Sequence, residues 1–335
     1  MANGKVTIYD VAQAAGVSIA TVSQTLNRPG RVNARTRQRV LDVIDELGFV
    51  PKATAVSHAR KAVGRVGAIA PFTTYDSFRR RLKGLLPEAQ SQEREVVVYD
   101  QVSAAEAPSP LLSAVPVTQR LDGLIIMGLP LEDSLAERLR KSGLPTVLVD
   151  SSHPELSSVS IDDELGGYLA GRHLLERGRR RIGFVSEPEL TFATRDLQGN
   201  RREAGLRRAI AEDGRDPASV EVHFTENSVS GGQAVVRELA DSGRLPEALF
   251  AHHDALAAGI LLECRHRGIA VPDDLAVIGF DNGDLAEALE ITTIHQPLEE
   301  SGRLGAKLLN DALADQSATV QHVLLPVRLV ERATA

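Results

Sequence analysis

Apolar positions near the amino terminus recur at helical intervals. Ile8, Val11, Ala12 and Ala15 share one face, so the spacing predicts a short amphipathic helix. Gly16 follows the last of them, where a chain leaving a helix favours a residue that tolerates positive φ. Ser18 then stands where a side-chain oxygen accepts from the free amides of the next helix. In that second helix, roughly residues 19–27, Val22 and Leu26 lie four apart and point inward. Ile19, Ala20, Ser23 and Gln24 fall on its other face. A third helix is capped by Asn33 and carries Val40, Val43, Ile44 and Leu47 on one side. A helix, a glycine and a second helix of these lengths make a helix-turn-helix. The second helix of that motif lies in the major groove of DNA with its first residues on base edges.

Beyond Leu47 the pattern changes. Phe49-Val50-Pro51 ends the third helix, and Lys52 to Val63, small, Ala-rich and polar, reads as a hinge. Short apolar runs then alternate with helical patterns. The runs are residues 66–70, 95–100, 123–128, 146–150, 181–186, 248–251 and 275–281. Runs buried on both faces between amphipathic helices predict doubly wound parallel sheets, with ligands beyond the carboxyl ends of the strands. There are about twice as many such units as one sheet needs, so the body reads as two lobes. Crossings are expected near Val159–Asp163 and Thr292–Gln296. Residues 322–330 read as one final strand, Ser103 to Pro116 as an irregular crossover, and Pro87 as a residue that kinks or ends its helix. The domains expected are an all-α headpiece, 1–50, a hinge, 51–63, and an α/β body, 64–335. In the body the N-lobe takes about 64–161 and 294–328, and the C-lobe about 162–293.

Charge sharpens the reading of the headpiece. Residues 1–61 carry nine Lys and Arg against four acids, whereas the whole chain is at −7. A basic end on an acidic body is the electrostatic footprint of a polyanion ligand, and it argues against a helical domain that touches only protein. The single cysteine, Cys264, excludes a disulfide scaffold. No apolar run approaches the ~18–20 residues of a membrane span, and no signal-peptide core is present, so a cytoplasmic chain is expected. Dinucleotide, phosphate-loop and nucleophile-elbow motifs are absent, and Gly64-Arg65-Val66-Gly67 has the wrong spacing for the first. No enzyme activity and no cofactor are expected. His252-His253-Asp254 suggests a metal, but no matching further ligands follow it in the sequence, so no metal site is expected. Asp254 reads instead as a helix cap, while Asp162, Asp163 and Glu164 favour the start of their own helix.

These segments together resemble the lactose-repressor/galactose-repressor (LacI/GalR) family over essentially the whole chain. Residues 7–27 (TIYDVAQAAGVSIATVSQTLN) and 32–51 (VNARTRQRVLDVIDELGFVP) carry the headpiece resemblance. GLPTVLVD, VSIDDELGGYLAGRHLLERGRRRIGFVS, RREAGL, HDALAAG, GIAVPDDLAVIGFDN and TTIHQP carry that of the body. The resemblance implies a homodimer on a roughly palindromic operator, and a periplasmic-binding-protein-like body with an effector in the interlobe cleft. It implies repression tuned by a small molecule, with a mono- or oligosaccharide as the leading class and a purine nucleobase as the alternative. An activator, or a repressor that needs a corepressor, uses the same parts. A solute-binding protein shares only the body.

DNA contacts are expected from Thr7, Tyr9, Ser18, Ile19, Ala20, Thr21, Ser23, Gln24, Asn27, Arg31, Asn33, Thr36 and His58, and some of Arg35, Arg37 and Arg39 are expected to reach phosphates. Effector contacts are expected from Phe72, Tyr75, Phe78, Asp150, Phe192, Arg202, His253 and Asp281. Three residues depart from the family pattern. Gln24 replaces an arginine, which shifts the favoured base from guanine towards adenine. His58 replaces a leucine that wedges into the minor groove. His253 replaces a frequent asparagine and so changes the donors and acceptors offered to an effector.

Overall fold

A computed structural model describes residues 6–49, 64–101, 114, 121–188, 198–315 and 317–335. The chain divides into two compact units, Met1–Val159 with Glu299–Val323 and Ser160–Leu298 with Leu324–Ala335. The hinge lies outside the described residues, as does most of the Ser103 to Pro116 crossover.

The headpiece, which falls within the first unit, has three helices: α1 (Ile8–Ala15), α2 (Ile19–Asn27) and α3 (Ala34–Leu47). Its caps are those the residues predict. Gly16 ends α1 in the left-handed region at φ 61°, and the Ser18 side chain accepts from the Thr21 amide. The Asn33 side chain accepts from the Thr36 amide at 2.8 Å. Thr7 and Asp10 add a reciprocal capping box at the start of α1. Val11, Ala12, Ala15, Val22, Leu26, Val40, Leu41 and Ile44 form the core. Arg37 is not a surface cation. It is buried, and its Nη1 donates to the Pro29 and Val32 carbonyls, which fastens the α2–α3 turn to α3.

The rest of the first unit is built on β1 (Gly64–Ala70), α4 (Asp76–Ser91), β2 (Arg94–Asp100), β3 (Gly123–Met127), α5 (Asp133–Lys141), β4 (Thr146–Val149) and the start of β5 (Ser157–Ile161), along which the chain passes to the second unit. The second unit is built on α6 (Asp163–Glu176), β6 (Ile182–Ser186), α7 (Gln198–Glu212), β7 (Glu221–Phe224), α8 (Val229–Asp241), β8 (Ala248–Ala251), α9 (Asp254–Arg267), β9 (Ala276–Asp281), α10 (Asp284–Ala288) and β10 (Thr292–His295). Helix α11 (Leu298–Ala314) leads to β11 (His322–Leu325) and β12 (Arg328–Val330). The two sheets have one topology, β2-β1-β3-β4-β5-β11 and β7-β6-β8-β9-β10-β12. Strands β1 to β5 pair in parallel, as do β6 to β10, while β12 runs antiparallel to β10. In each sheet the order of winding reverses beside the first strand, between β1 and β3 and between β6 and β8. The loops after those strands are the favoured ligand positions of such a sheet.

Both units hold a helix pair at backbone contact by the same residues. In the first, a Cβ placed on Gly84 of α4 would overlap the Glu299 carbonyl, and one on Gly302 of α11 would overlap the Arg81 carbonyl. In the second, a Cβ on Gly205 of α7 would overlap the Glu164 carbonyl, and one on Gly167 of α6 would overlap the Arg202 carbonyl. Arg-x-x-Gly on one helix thus crosses Glu-x-x-Gly on the other, twice. Each crossing carries its arginine, Arg81 or Arg202, into the interior at 1% exposure.

The architecture departs from the sequence reading at four points. Residues 322–330 are two strands in different sheets. Pro326 between them has no N–H to donate to a continuous ladder. Strand β10 extends the second sheet to His295, and the second unit reaches Leu298, whereas the sequence reading gave residues from 294 to the N-lobe. Helix α4 continues through Pro87 to Ser91. Its face of Phe78, Arg81, Leu85 and Ala89 is buried, and that packing outweighs the ~3 kcal/mol of a helix-interior proline. Strands β5, β7 and β10 gave no apolar run long enough to register.

Replacing Gly84 or Gly205 by alanine is expected to force its helix pair apart and to destabilise its unit by about 1–3 kcal/mol. Gly30, with nothing within 4 Å of an added Cβ, is expected to accept alanine with no comparable effect. Thermal denaturation of the full chain checks both; equal melting curves for Gly205→Ala and Gly30→Ala would remove the packing argument.

Candidate DNA-binding face and effector site

In the headpiece the core locks one side of α2 and leaves the other in water. Ala20, Gln24 and Asn27 are exposed, and Ile19 is held in solvent at 40% exposure with Tyr9 of α1 at 67%. Thr7, Ser18, Arg31 and Asn33 are exposed, and Thr21, Ser23 and Thr36 are half-buried. Several also hold the helix ends: Ser18 Oγ lies 2.9 Å from Thr21 Oγ1, and Asn27 Nδ2 donates to the Ser23 carbonyl. The same side chains therefore shape the helix and face outwards from it. His58 lies outside the described residues.

The effector candidates fall in two groups. Phe72, Tyr75, Phe78 and Asp150 belong to the first unit. Phe78 is spent in its interior, edge-on to Tyr75 at 5.8 Å and against Gly128, which leaves no free ring face there. Asp150 sits at φ 60° and pairs with the buried Arg81 guanidinium at 2.9 Å. Phe72 and Tyr75 are half-buried. Phe192 lies outside the described residues.

Arg202, His253 and Asp281 are brought together in the second unit, at the carboxyl ends of β8 and β9. The helix crossing at Gly205 delivers Arg202 beneath the β8–α9 turn. There Nε donates to Asp163 Oδ1 at 2.9 Å, Nη1 donates to the His252 carbonyl at 2.6 Å, and the guanidinium lies 3.5 Å from the centroid of Phe280. A buried cation is tolerable only with such partners. Phe184, Phe250 and Phe280 stack beneath it as a chain of tilted rings.

His253 is the N-cap residue of α9, but its side chain makes no cap bond. The ring instead places Nδ1 3.1 Å from Asp281 Oδ2 and Nε2 3.7 Å from Glu187 Oε1. Burial opposes a charge on this imidazole, yet Asp281 and Glu187 outweigh it and raise His253 to about 9. His252 has no such carboxylate hydrogen bond, and burial pushes it well below the usual histidine range. Asp281 is held at φ 107°, a region costly for a residue with a Cβ. Its Oδ1 accepts from Gln296 Nε2, and its carboxyl is lowered by the His253 charge against the effect of burial.

Asp254 is not the cap the sequence suggested. It is the first helical residue, and its carboxylate accepts from the Gly283 amide and the Thr293 hydroxyl, both at 2.7 Å, tying the β9–α10 turn to β10. Burial and the Asp281 charge raise it to about 7. Asp162 does cap α6, its side chain accepting from the Leu165 amide. Glu187 and Gln296 are the polar residues of this cluster that sequence reasoning missed. Each stands in an unremarkable local context, directly after β6 and after β10, and only strand adjacency gives them neighbours.

Among the described residues no helix is long and apolar enough to cross a membrane. Comparison with known proteins agrees with this architecture. Residues 7–52 match the model of bacterial regulatory proteins of the lacI family, and residues 171–335 match the periplasmic binding protein-like domain. The chain is similar to the HTH-type transcriptional regulator DegA of Bacillus subtilis (strain 168), at 31% identity over 98% of this chain and 97% of the relative. Among solved structures it is similar to the transcriptional regulator CelR–cellobiose complex, at 27% identity and TM-score 0.71 over 98% of this chain and 100% of that one. It is similar also to the lac repressor dimer bound to operator and an anti-inducer, at 26% identity and TM-score 0.70 over 99% of both. The headpiece with its exposed α2 and the doubly wound, periplasmic-binding-like sheets are thus those of one family, and this chain belongs to the LacI family of bacterial transcriptional regulators.

Proposed function

We propose that this chain represses transcription in the bacterial cytoplasm by binding, as a homodimer, a roughly palindromic operator, and that a sugar effector sets its operator affinity. The observation that carries the reading is α2: capped by Ser18, locked by Val22 and Leu26, and open to solvent along Ala20, Gln24 and Asn27. Two such helices must sit about one DNA turn apart, ~34 Å, which a symmetric pair of chains supplies. The lac repressor dimer on its operator and the cellobiose complex of CelR support the two halves of the reading. Arg202, His253 and Asp281 are the effector ligands proposed in the second unit, with Asp281 the acceptor for sugar hydroxyls. Phe72 and Tyr75 of the first unit are proposed to offer aromatic faces to a sugar.

Sites selected from random duplexes are expected to carry A·T under Gln24, and Gln24→Arg is expected to move the preference to G·C. A fixed G·C in both proteins would sink the adenine assignment. Removal of a phosphate-binding arginine lowers the salt slope of operator affinity by about one. Arg37→Gln is expected to destabilise the headpiece through its lost carbonyl bonds and to leave that slope unchanged.

A thermal-shift screen of mono- and oligosaccharides should find a ligand that adds ~2.7 kcal/mol of stability at 100 times its dissociation constant. Asp281→Asn is expected to abolish that shift while the chain stays folded. A full shift in Asp281→Asn would remove this carboxylate from the site.

A further inference from the structure

The loops after β6 and β8, on either side of the point where the second sheet reverses its order, bring three metal-ligating side chains together. Glu187 follows β6, and His252 and His253 follow β8. One donor atom from each lies within 4.8 Å of the other two. Glu187 Oε1 is 3.9 Å from His252 Nε2 and 3.7 Å from His253 Nε2. A tetrahedral ion with bonds of ~2.0–2.2 Å sets its ligands about 3.3–3.5 Å apart, so a contraction of a few tenths of an ångström brings Glu187 to ligand distance of each histidine, and the two imidazoles, already within 4.8 Å, close on the same ion.

Two further observations point the same way. Nδ1 of His253 is held 3.1 Å from Asp281 Oδ2, which leaves Nε2 turned to Glu187. A carboxylate on the far nitrogen of an imidazole is the arrangement that fixes the tautomer of a metal-bound histidine. His252 is buried, and its ring makes no hydrogen bond among the described residues: Nδ1 has no partner and Nε2 lies beyond hydrogen-bond reach of Glu187. Buried imidazole nitrogens are ordinarily paired, so Nε2, the nitrogen that faces Glu187, is left available to a ligand. The nearby Arg202 cation pairs with Asp163 at 2.9 Å, and among the described residues Glu187, Asp281 and Asp254 are the carboxylates whose charge acts on His253.

We propose that Glu187, His252 and His253 form a binding site for one divalent transition cation of the zinc class, with Asp281 as the outer partner of His253. Two imidazoles and one carboxylate suit zinc, cobalt or nickel better than magnesium or calcium, which favour oxygen-only sites. Three protein ligands leave a fourth position for water or an oxygen of a second ligand. The site goes beyond the operator-and-sugar reading and does not depend on it.

The test is titration of the chelator-stripped full chain with Co²⁺, followed by Zn²⁺, in the absence of sugar and DNA. One ion per chain is expected, with the visible ligand-field bands of four-coordinate cobalt, bleached when zinc displaces it. His252→Ala and Glu187→Gln are each expected to weaken binding at least about tenfold, and Asp281→Asn by about 10–100-fold. His322→Ala, whose ring bonds Ser158 in the first sheet, is expected to bind as the parent does. Circular dichroism establishes that each variant is folded, and the near-isosteric Glu187→Gln carries the test if His252→Ala is not. The proposal is overturned if the stripped chain binds neither ion at micromolar concentration, if cobalt binds without four-coordinate bands, or if folded Glu187→Gln binds as tightly as the parent. Because the titration contains no sugar, its failure leaves the effector reading as it stands.

Discussion

The contact on which both α/β units depend is between backbones. Helices α4 and α11, and helices α7 and α6, cross so closely that a glycine on each faces a carbonyl on the other. Any Cβ at those four positions meets backbone, which cannot turn aside as a side-chain tip does. The crossing sets how closely the two helices of each pair approach, and so fixes the residues that lie at the contact. Arg81 and Arg202, each three residues before its glycine, are both buried there.

Once inside, each guanidinium imposes order on its surroundings because an unpaired buried charge is prohibitively costly. Arg81 is met by Asp150, whose backbone is left-handed. Arg202 is met by Asp163, by the His252 carbonyl and by the face of Phe280. Its grip on the His252 carbonyl positions the turn from which His252 and His253 project. A packing constraint on two helices is in this way passed to the ligand end of the sheet through one arginine.

Much of the architecture was legible in the sequence because its signals are local. Helix periodicity, the cap residues Ser18 and Asn33, and the seven short apolar runs depend on neighbours a few residues away. Edge strand β7 was not legible, since a half-exposed strand of four residues has no continuous apolar run. Pro87 misled because helix propensity is a weak term beside the burial of a whole helix face. Residues 322–330 read as one strand although Pro326 divides them between two sheets.

The site was legible only in part. The sequence by itself determined a DNA-reading headpiece, a body of parallel βα units, and Arg202, His253 and Asp281 as polar residues near strand ends. It also showed the pair His252-His253, but with no partner that would give it chemistry. Tertiary structure decided that Asp254 clamps the β9–α10 turn, that Phe78 is interior, that Arg37 is structural, and that Glu187 stands beside both histidines. The physical reason is the parallel sheet itself. Each crossover returns the chain to the same edge, so residues distant in sequence become neighbours at the strand ends, and no local pattern records which ones.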